Sequence, residues 1–314
     1  MLIPAALVRK VHQRALAAIE RVVREPGAAN VETASLAVEL AQKLGRLDSL
    51  VGCRERLIEI LQADQDPQTG LWPRNQWHAP LVPAILRVPV LKMLGARPTH
   101  PVREIERILA SKDTLRDWVE NLDWSHPWGG PTGAGHSMIS LTFPAADLGL
   151  ISGSQLELVR ERLEAYRDDV YGVWHRDHFT RPAVMQLGGA TAMGLVYARF
   201  RWPLSRPEGA VRMLEELQRP TGSWYETWPA GSTDMDGAWL IDRYTCHDPV
   251  LRARALPMLE RVAEYHIRRL GEPADFDKQG LVSTVNLLAI LRKVFPDPQD
   301  DVPPWEFVMF AQSL

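Results

Sequence analysis

The sequence predicts an all-α fold of helical hairpins, in a single domain over residues 1–314. Three observations carry that expectation. Apolar residues recur at i, i+3 and i+4 almost from end to end. Alternating runs long enough to make β-strands are absent. Two stretches far apart in the chain share one helix–turn pattern, which points to an internal repeat.

In chain order, the first stripe lies in Leu7–Val23 (Val11, Ala15, Ile19, Val22), and the next in Val31–Leu44. Leu57, Ile58 and Leu61 make a third within Leu50–Leu61. Further helices are expected near Leu81–Leu94, Val102–Leu109, His136–Leu148, Ser154–Tyr166 and Ala183–Phe200. The series closes with Glu208–Leu217, Met235–Tyr244, Val250–Leu270 and Leu281–Val294. The 24 prolines are read as punctuation that ends one helix and starts the next.

Composition narrows the function classes. Hydrophobic residues are 46% and charged residues 24%, which excludes disordered and fibrous classes. A net charge of −3 without blocks of like charge gives no footprint for nucleic acid. Cys53 and Cys246 are too few for a disulfide framework and fit a reducing compartment. Charges recur from Arg9 onward, so the N-terminus reads as an amphipathic helix rather than a signal peptide. No run of ~18 uncharged apolar residues is present, so no membrane span is expected. The expectation is a cytoplasmic protein with a small-molecule partner and no cofactor; its oligomeric state is left open.

The repeat sits in the connections. Gln65-Asp66-Pro67-Gln68-Thr69-Gly70-Leu71-Trp72 follows one helix, and Gln218-Arg219-Pro220-Thr221-Gly222-Ser223-Trp224 follows another. Weaker copies are Asp169–Trp174, around Gly172, and Asp277–Leu281, around Gly280. The glycines fall at multiples of roughly 50 residues, the length of a helix pair with its turns. These Gln…Gly-x-Trp turns resemble the QW repeats of terpenoid cyclases. Those enzymes and the protein prenyltransferase β-subunits form (α/α)6 toroids, so the resemblance implies a toroid of inner and outer helices. Trp72 and Trp224 are then expected to be at least half buried, each packed on a neighbouring hairpin.

Asp234 and Asp236 are the sharpest chemical feature. Gly231-Ser232-Thr233-Asp234-Met235-Asp236-Gly237 opens a helix after the second turn. It is similar to the Asp-x-Asp-Asp motif of class II terpene cyclases, with Gly237 in the place of the last aspartate. The resemblance makes Asp236 the catalytic acid for an isoprenoid-type substrate and Asp234 its partner. Protonating an alkene requires a carboxylic acid kept from water, and two neighbouring carboxylates can share a proton. A plainer reading of Ser232, Thr233 and Asp234 is as helix-capping residues.

Aromatic and histidine residues supply the candidate substrate contacts: Trp124, Trp128, Tyr171, Trp174, Trp224, Tyr225, Trp228 and Trp239, with His136, His175, Asp177 and His178. Aromatic faces stabilise carbocations, but they also stack on sugar rings. His175-x-x-His178 has no third ligand dictated by spacing, so no metal is expected. His136 follows a glycine-rich stretch with Asp123 and His126 just before it, where a histidine fits proton transfer or substrate contact. Two alternatives stay open: a carbohydrate-active (α/α)6 enzyme using pairs such as Asp236 with Asp177 or His136 with Tyr171, or a non-catalytic toroid binding a hydrophobic or peptide ligand.

Overall fold

The computed structural model describes residues 1–73, 79–129, 132–174, 183–226, 231–269 and 278–306. Among these, every regular element is helical, and the only β-type pairings are two isolated bridges. Contacts divide the chain into two compact units: Met1–Leu57 with the described residues after Ser205, and Ile58–Ser205.

The first unit opens with α1 (Ala5–Arg24) and α2 (Val31–Lys43). Helix α3 (Arg54–Gln62) leads into the second unit, which holds α4 (Val82–Met93), α5 (Arg103–Ile108), α6 (Lys112–Glu120), α7 (Ala134–Leu148), α8 (Gly153–Ala165) and α9 (Ala183–Arg199). The chain returns to the first unit with α10 (Pro207–Leu217), α11 (Ser232–Thr245), α12 (Pro249–Arg268) and α13 (Lys278–Val294).

Local chemistry accounts for most starts. Asn30 and Thr33 form a reciprocal capping box on α2, as Ser152 and Gln155 do on α8. Asp248 accepts the N–H groups of Val250 and Leu251 to cap α12. Helix α6 has no counterpart in the sequence expectation. It is nine residues long, capped by Ser111, and buries only Leu115 and Val119, too short a stripe to stand out. The segment Leu47–Cys53 is a 3₁₀ stretch feeding α3, where one continuous helix from Leu50 was expected.

Prolines do less punctuating than expected. Pro83, Pro207 and Pro249 sit in first turns, but Pro89, Pro144 and Pro257 lie inside α4, α7 and α12. Pro89 and Pro144 are buried, where packing compensates the hydrogen bond each removes, whereas Pro257 lies on the exposed face of α12.

Burial separates two kinds of helix. Helix α1 buries one stripe, Leu7, Val11, Ala15, Ile19 and Val22. Helix α7 is buried on nearly every side from Ala134 to Ala145, as expected of a helix apolar all round. In the second unit α7 packs on both α4 and α9. In the first, α11 packs on α13, α12 and α10, and α1 on α2 and α13.

The two QW-like turns are built alike. Gln65 Nε2 donates to the carbonyls of Gly70 (2.8 Å) and His100 (2.9 Å), and Gln218 Nε2 donates to those of Gly222 (2.7 Å) and Met258 (2.9 Å). Each glutamine thus ties its own turn to a segment 35 or 40 residues further on. Gly70 and Gly222 have φ of +71° and +97°. A Cβ at either would stand 1.8 Å from the Pro101 oxygen or 2.5 Å from the Arg261 oxygen, so only glycine fits. Trp72 and Trp224 are 3% and 0% exposed, the burial the sequence led us to expect. Arg87 lies over the Trp72 ring at 5.3 Å, and Trp224 Nε1 donates to the Leu214 carbonyl at 3.0 Å.

The turn at Asp168–Trp174 shares the first turn's backbone. Asp66 and Asp168 each take the N–H groups two and three residues on, and Gly70 and Gly172 donate back to their carbonyls. The fourth expected copy is not a turn: Gly280 lies within α13, where its carbonyl accepts from Thr284 Oγ1.

Candidate functional site

Asp234 and Asp236 both lie in the first two turns of α11, and both are buried, at 0% and 4% exposure. Their surroundings differ because successive helix positions turn by ~100°. Two residues apart, the side chains leave the helix on nearly opposite sides.

Asp234 faces the second QW-like turn. Ser223 Oγ donates to its two oxygens at 2.9 and 2.8 Å, the Trp224 backbone N–H donates at 2.6 Å, and His266 Nε2 of α12 lies 2.8 Å away. Ser223 Oγ in turn accepts the N–H groups of Tyr225 (3.0 Å) and Glu226 (2.6 Å). Ser223, Asp234 and His266 are all enclosed, at 0%, 0% and 3% exposure. The order of contacts is serine to aspartate to histidine, with the carboxylate in the middle. A nucleophilic triad requires the histidine in the middle, so this arrangement is a clamp that joins turn, α11 and α12.

Two expectations are corrected here. Asp234 does not cap its own helix: α11 starts at Ser232, and Gly231 before it leaves the start without a side-chain cap. Nor do the two aspartates form a facing pair that shares a proton: the Asp234 oxygens are engaged by Ser223, Trp224 and His266 on the side of the turn.

The same packing explains Gly237. It lies three residues after Asp234, on the same side of α11, and a Cβ there would stand 2.7 Å from the Trp224 ring. The position where the cyclase motif carries its last aspartate is filled here by the indole. Gly237→Asp, which would complete the motif, is expected to lower stability by about 1–3 kcal/mol through overpacking, measured by urea unfolding.

Asp236 leaves α11 on the other side. Its chain neighbour Met235 meets Asn286 Nδ2 of α13 at 3.4 Å, and Trp239, one turn further on, is 4% exposed. Helix α13 also places buried Ser283 and Thr284 in this unit.

The remaining expected contacts fall into three groups. Trp124, Trp174 and Trp224 are at most 1% exposed and pack in the interior. Trp124 stacks on Tyr166 at 4.1 Å and donates to the Val119 carbonyl at 3.0 Å. Trp174 lies under Arg167 at 4.6 Å and 5.1 Å from Tyr197. Burial, followed by the hydrogen bond to Glu164, pushes the Tyr197 phenol well above its usual range, so it stays neutral. Tyr225 is exposed, and Tyr171 is half-buried in its turn, its N–H donating to Asp168 at 2.8 Å. Trp128 and His136 meet at 4.1 Å between ring centres, both half-buried. His175, Asp177, His178 and Trp228 lie outside the described residues.

Sequence reasoning passed over two members of the clamp. Ser223 was visible only as the residue between Gly222 and Trp224, and His266, 32 residues beyond Asp234, carries no local signal. Among the described residues, no group of three or more His, Cys, Asp or Glu is placed to hold a metal ion, and no helix is long and apolar enough to cross a membrane. The chain matches no known protein family, no curated protein and no solved structure.

Proposed function

We propose that the protein is an acid-initiated cyclase of isoprenoid-type substrates, related in architecture to the terpenoid-cyclase toroids, with Asp236 as the proton donor. The observation that carries this reading is the division between the two aspartates. Asp234 is held by the clamp, and Asp236, 4% exposed, leaves α11 on the opposite side, away from the clamp. A proton donor to an alkene must be shielded from water, which would otherwise compete for the proton and quench the cation.

In this reading the Asp236 O–H bond breaks as a C–H bond forms at the alkene, a second double bond closes on the resulting cation, and the cyclised cation loses a proton to give the neutral product. The clamp fixes the start of α11 and so the direction in which Asp236 points. It is a positioning element and takes no proton itself. The resemblance of the turns to QW repeats implies an (α/α)6 toroid for the helical hairpins, and the partner in this reading is a small hydrophobic molecule. No cofactor takes part.

Incubation in D₂O with a panel of linear isoprenoid alcohols, diphosphates and epoxides tests the reading. The parent is expected to give a cyclised product carrying deuterium at the protonated carbon. Asp236→Asn keeps the shape but lacks the acidic proton, and is expected to give none. Consumption of no isoprenoid, or product from Asp236→Asn at the parent's rate, overturns the proposal.

A further inference from the structure

Helices α5, α6 and α7, with the connection Ala79–Leu81 that leads into α4, surround a cavity of about 200 Å³ within the unit Ile58–Ser205. Ala79, Leu81, Ile108 and Leu122 make much of its apolar wall, and all four are buried. Trp118, half-buried on α6, adds an aromatic ring.

Charge narrows what the cavity can take. Among the described residues that line it there is no Lys, Arg or His, so it offers no cation to a phosphate or carboxylate. Glu104 lies in the wall, but both of its oxygens accept from Arg107, at 2.8 and 2.6 Å. Its charge is met without a cationic ligand. A neutral ligand is what remains.

Two polar groups in the wall are open to such a ligand. Ser137 is 4% exposed, and among the described residues no hydrogen bond engages its side chain. Thr142, further along α7, shows the usual fate of a hydroxyl inside a helix: its Oγ1 donates to the Met138 carbonyl at 2.8 Å. The Ser137 hydroxyl is instead left to the cavity it lines, and a hydroxyl kept from water without a partner costs stability. Asn121 spends Nδ2 on the Asp117 carbonyl at 2.8 Å, which leaves its amide oxygen as an acceptor at the wall.

Size and polarity then point to one ligand class. An apolar cavity of about 150 Å³ holds a benzene ring. The present one, at about 200 Å³, has room for that ring and a small substituent. A sugar would bring several hydroxyls to a wall with partners for one or two, and each of the others would lose its water uncompensated.

We propose that this cavity binds a free phenol-type molecule, a single aromatic ring whose hydroxyl pairs with Ser137 Oγ and whose ring packs against Trp118 and the aliphatic wall. The proposal uses no property of Asp236, which belongs to the other compact unit, and stands apart from the isoprenoid reading.

Titration with phenol, p-cresol and toluene tests it, followed by NMR through the Trp118 indole N–H, whose resonance Trp118→Phe assigns. Phenol and p-cresol are expected to shift that resonance with millimolar affinity. In Ser137→Ala both should bind about fivefold more weakly, the effect of one hydrogen bond, while toluene, which has no hydroxyl, should bind as it does to the parent. Ser137→Ala removes an unpaired hydroxyl and is expected to melt no lower than the parent, so weaker binding is not a loss of fold. Ala79→Leu fills the cavity from its buried wall and should abolish binding of all three. The proposal is overturned if neither phenol nor p-cresol binds at concentrations on the order of 20 mM. It is equally overturned if Ser137→Ala binds phenol as tightly as the parent, if it weakens toluene as much as phenol, or if folded Ala79→Leu binds as the parent does.

Discussion

Trp224→Ala is expected to destabilise the protein by about 3–5 kcal/mol, the range for deleting a large aromatic from a closed core. Trp224 is fully enclosed, its ring lies against Gly237, and its Nε1 donates to the Leu214 carbonyl at 3.0 Å. Truncation leaves a cavity beside α11 and removes one of the two donors to the Leu214 carbonyl, which keeps the Gln218 N–H at 3.1 Å. Gly237 makes the test sharper. Gly237→Ala alone should cost stability, because its Cβ meets the indole at 2.7 Å. In a Trp224→Ala background that conflict is gone, so the same change should cost little or add stability. A double-mutant cycle by urea unfolding reads the coupling directly. Additive effects would separate the ring from the glycine and undo the packing account of the motif's missing aspartate.

Asp234→Ala is expected to cost a similar amount, about 3–5 kcal/mol, for a different reason. The change removes the acceptor for Ser223 Oγ, for the Trp224 N–H and for His266, all inside the protein. Unpaired buried donors carry their full desolvation cost, which exceeds what the contacts contribute when made. A fall in Tm on the order of 10 °C is expected. Asp234→Asn retains an acceptor oxygen but turns an N–H₂ toward one of the donors, so it should fall between Asp234→Ala and the parent. Ser223→Ala removes a single member and should cost less than Asp234→Ala. An Asp234→Ala variant that melts with the parent would mean that the clamp contributes nothing to the fold.

Much of this architecture is legible in the sequence because helix periodicity and turn chemistry are local. The stripe of α1 and the Gln…Gly-x-Trp turns are set by residues close together in the chain. The equivalence of Gln65 and Gln218 holds down to their two carbonyl partners. Helix α6 escaped because nine residues with two buried apolar positions fall below the signal a periodic stripe needs. The prolines inside α4 and α7 run against a local rule that core burial overrides.

The site was less legible because its chemistry depends on long-range partners. Sequence proximity suggested that Asp234 and Asp236 act together, whereas helix geometry turns them apart. His266 reaches Asp234 across 32 residues, which no local pattern announces. Gly237 reads as a defect in a catalytic motif until the Trp224 ring is seen against it. The tryptophans also divide by depth. Trp124, Trp174 and Trp224 are core, while Trp128 stays half-buried beside His136, and composition alone could not sort them.

On the proposed reading, one aspartate of α11 holds the fold and the other is the proton donor. The most direct measurement is urea unfolding of Asp236→Asn alongside turnover of the isoprenoid panel by the same preparation. The account predicts an unfolding free energy within about 1 kcal/mol of the parent, together with loss of the deuterated cyclic product. An Asp236→Asn variant that unfolds as readily as Asp234→Ala, or that still forms the product, would contradict it.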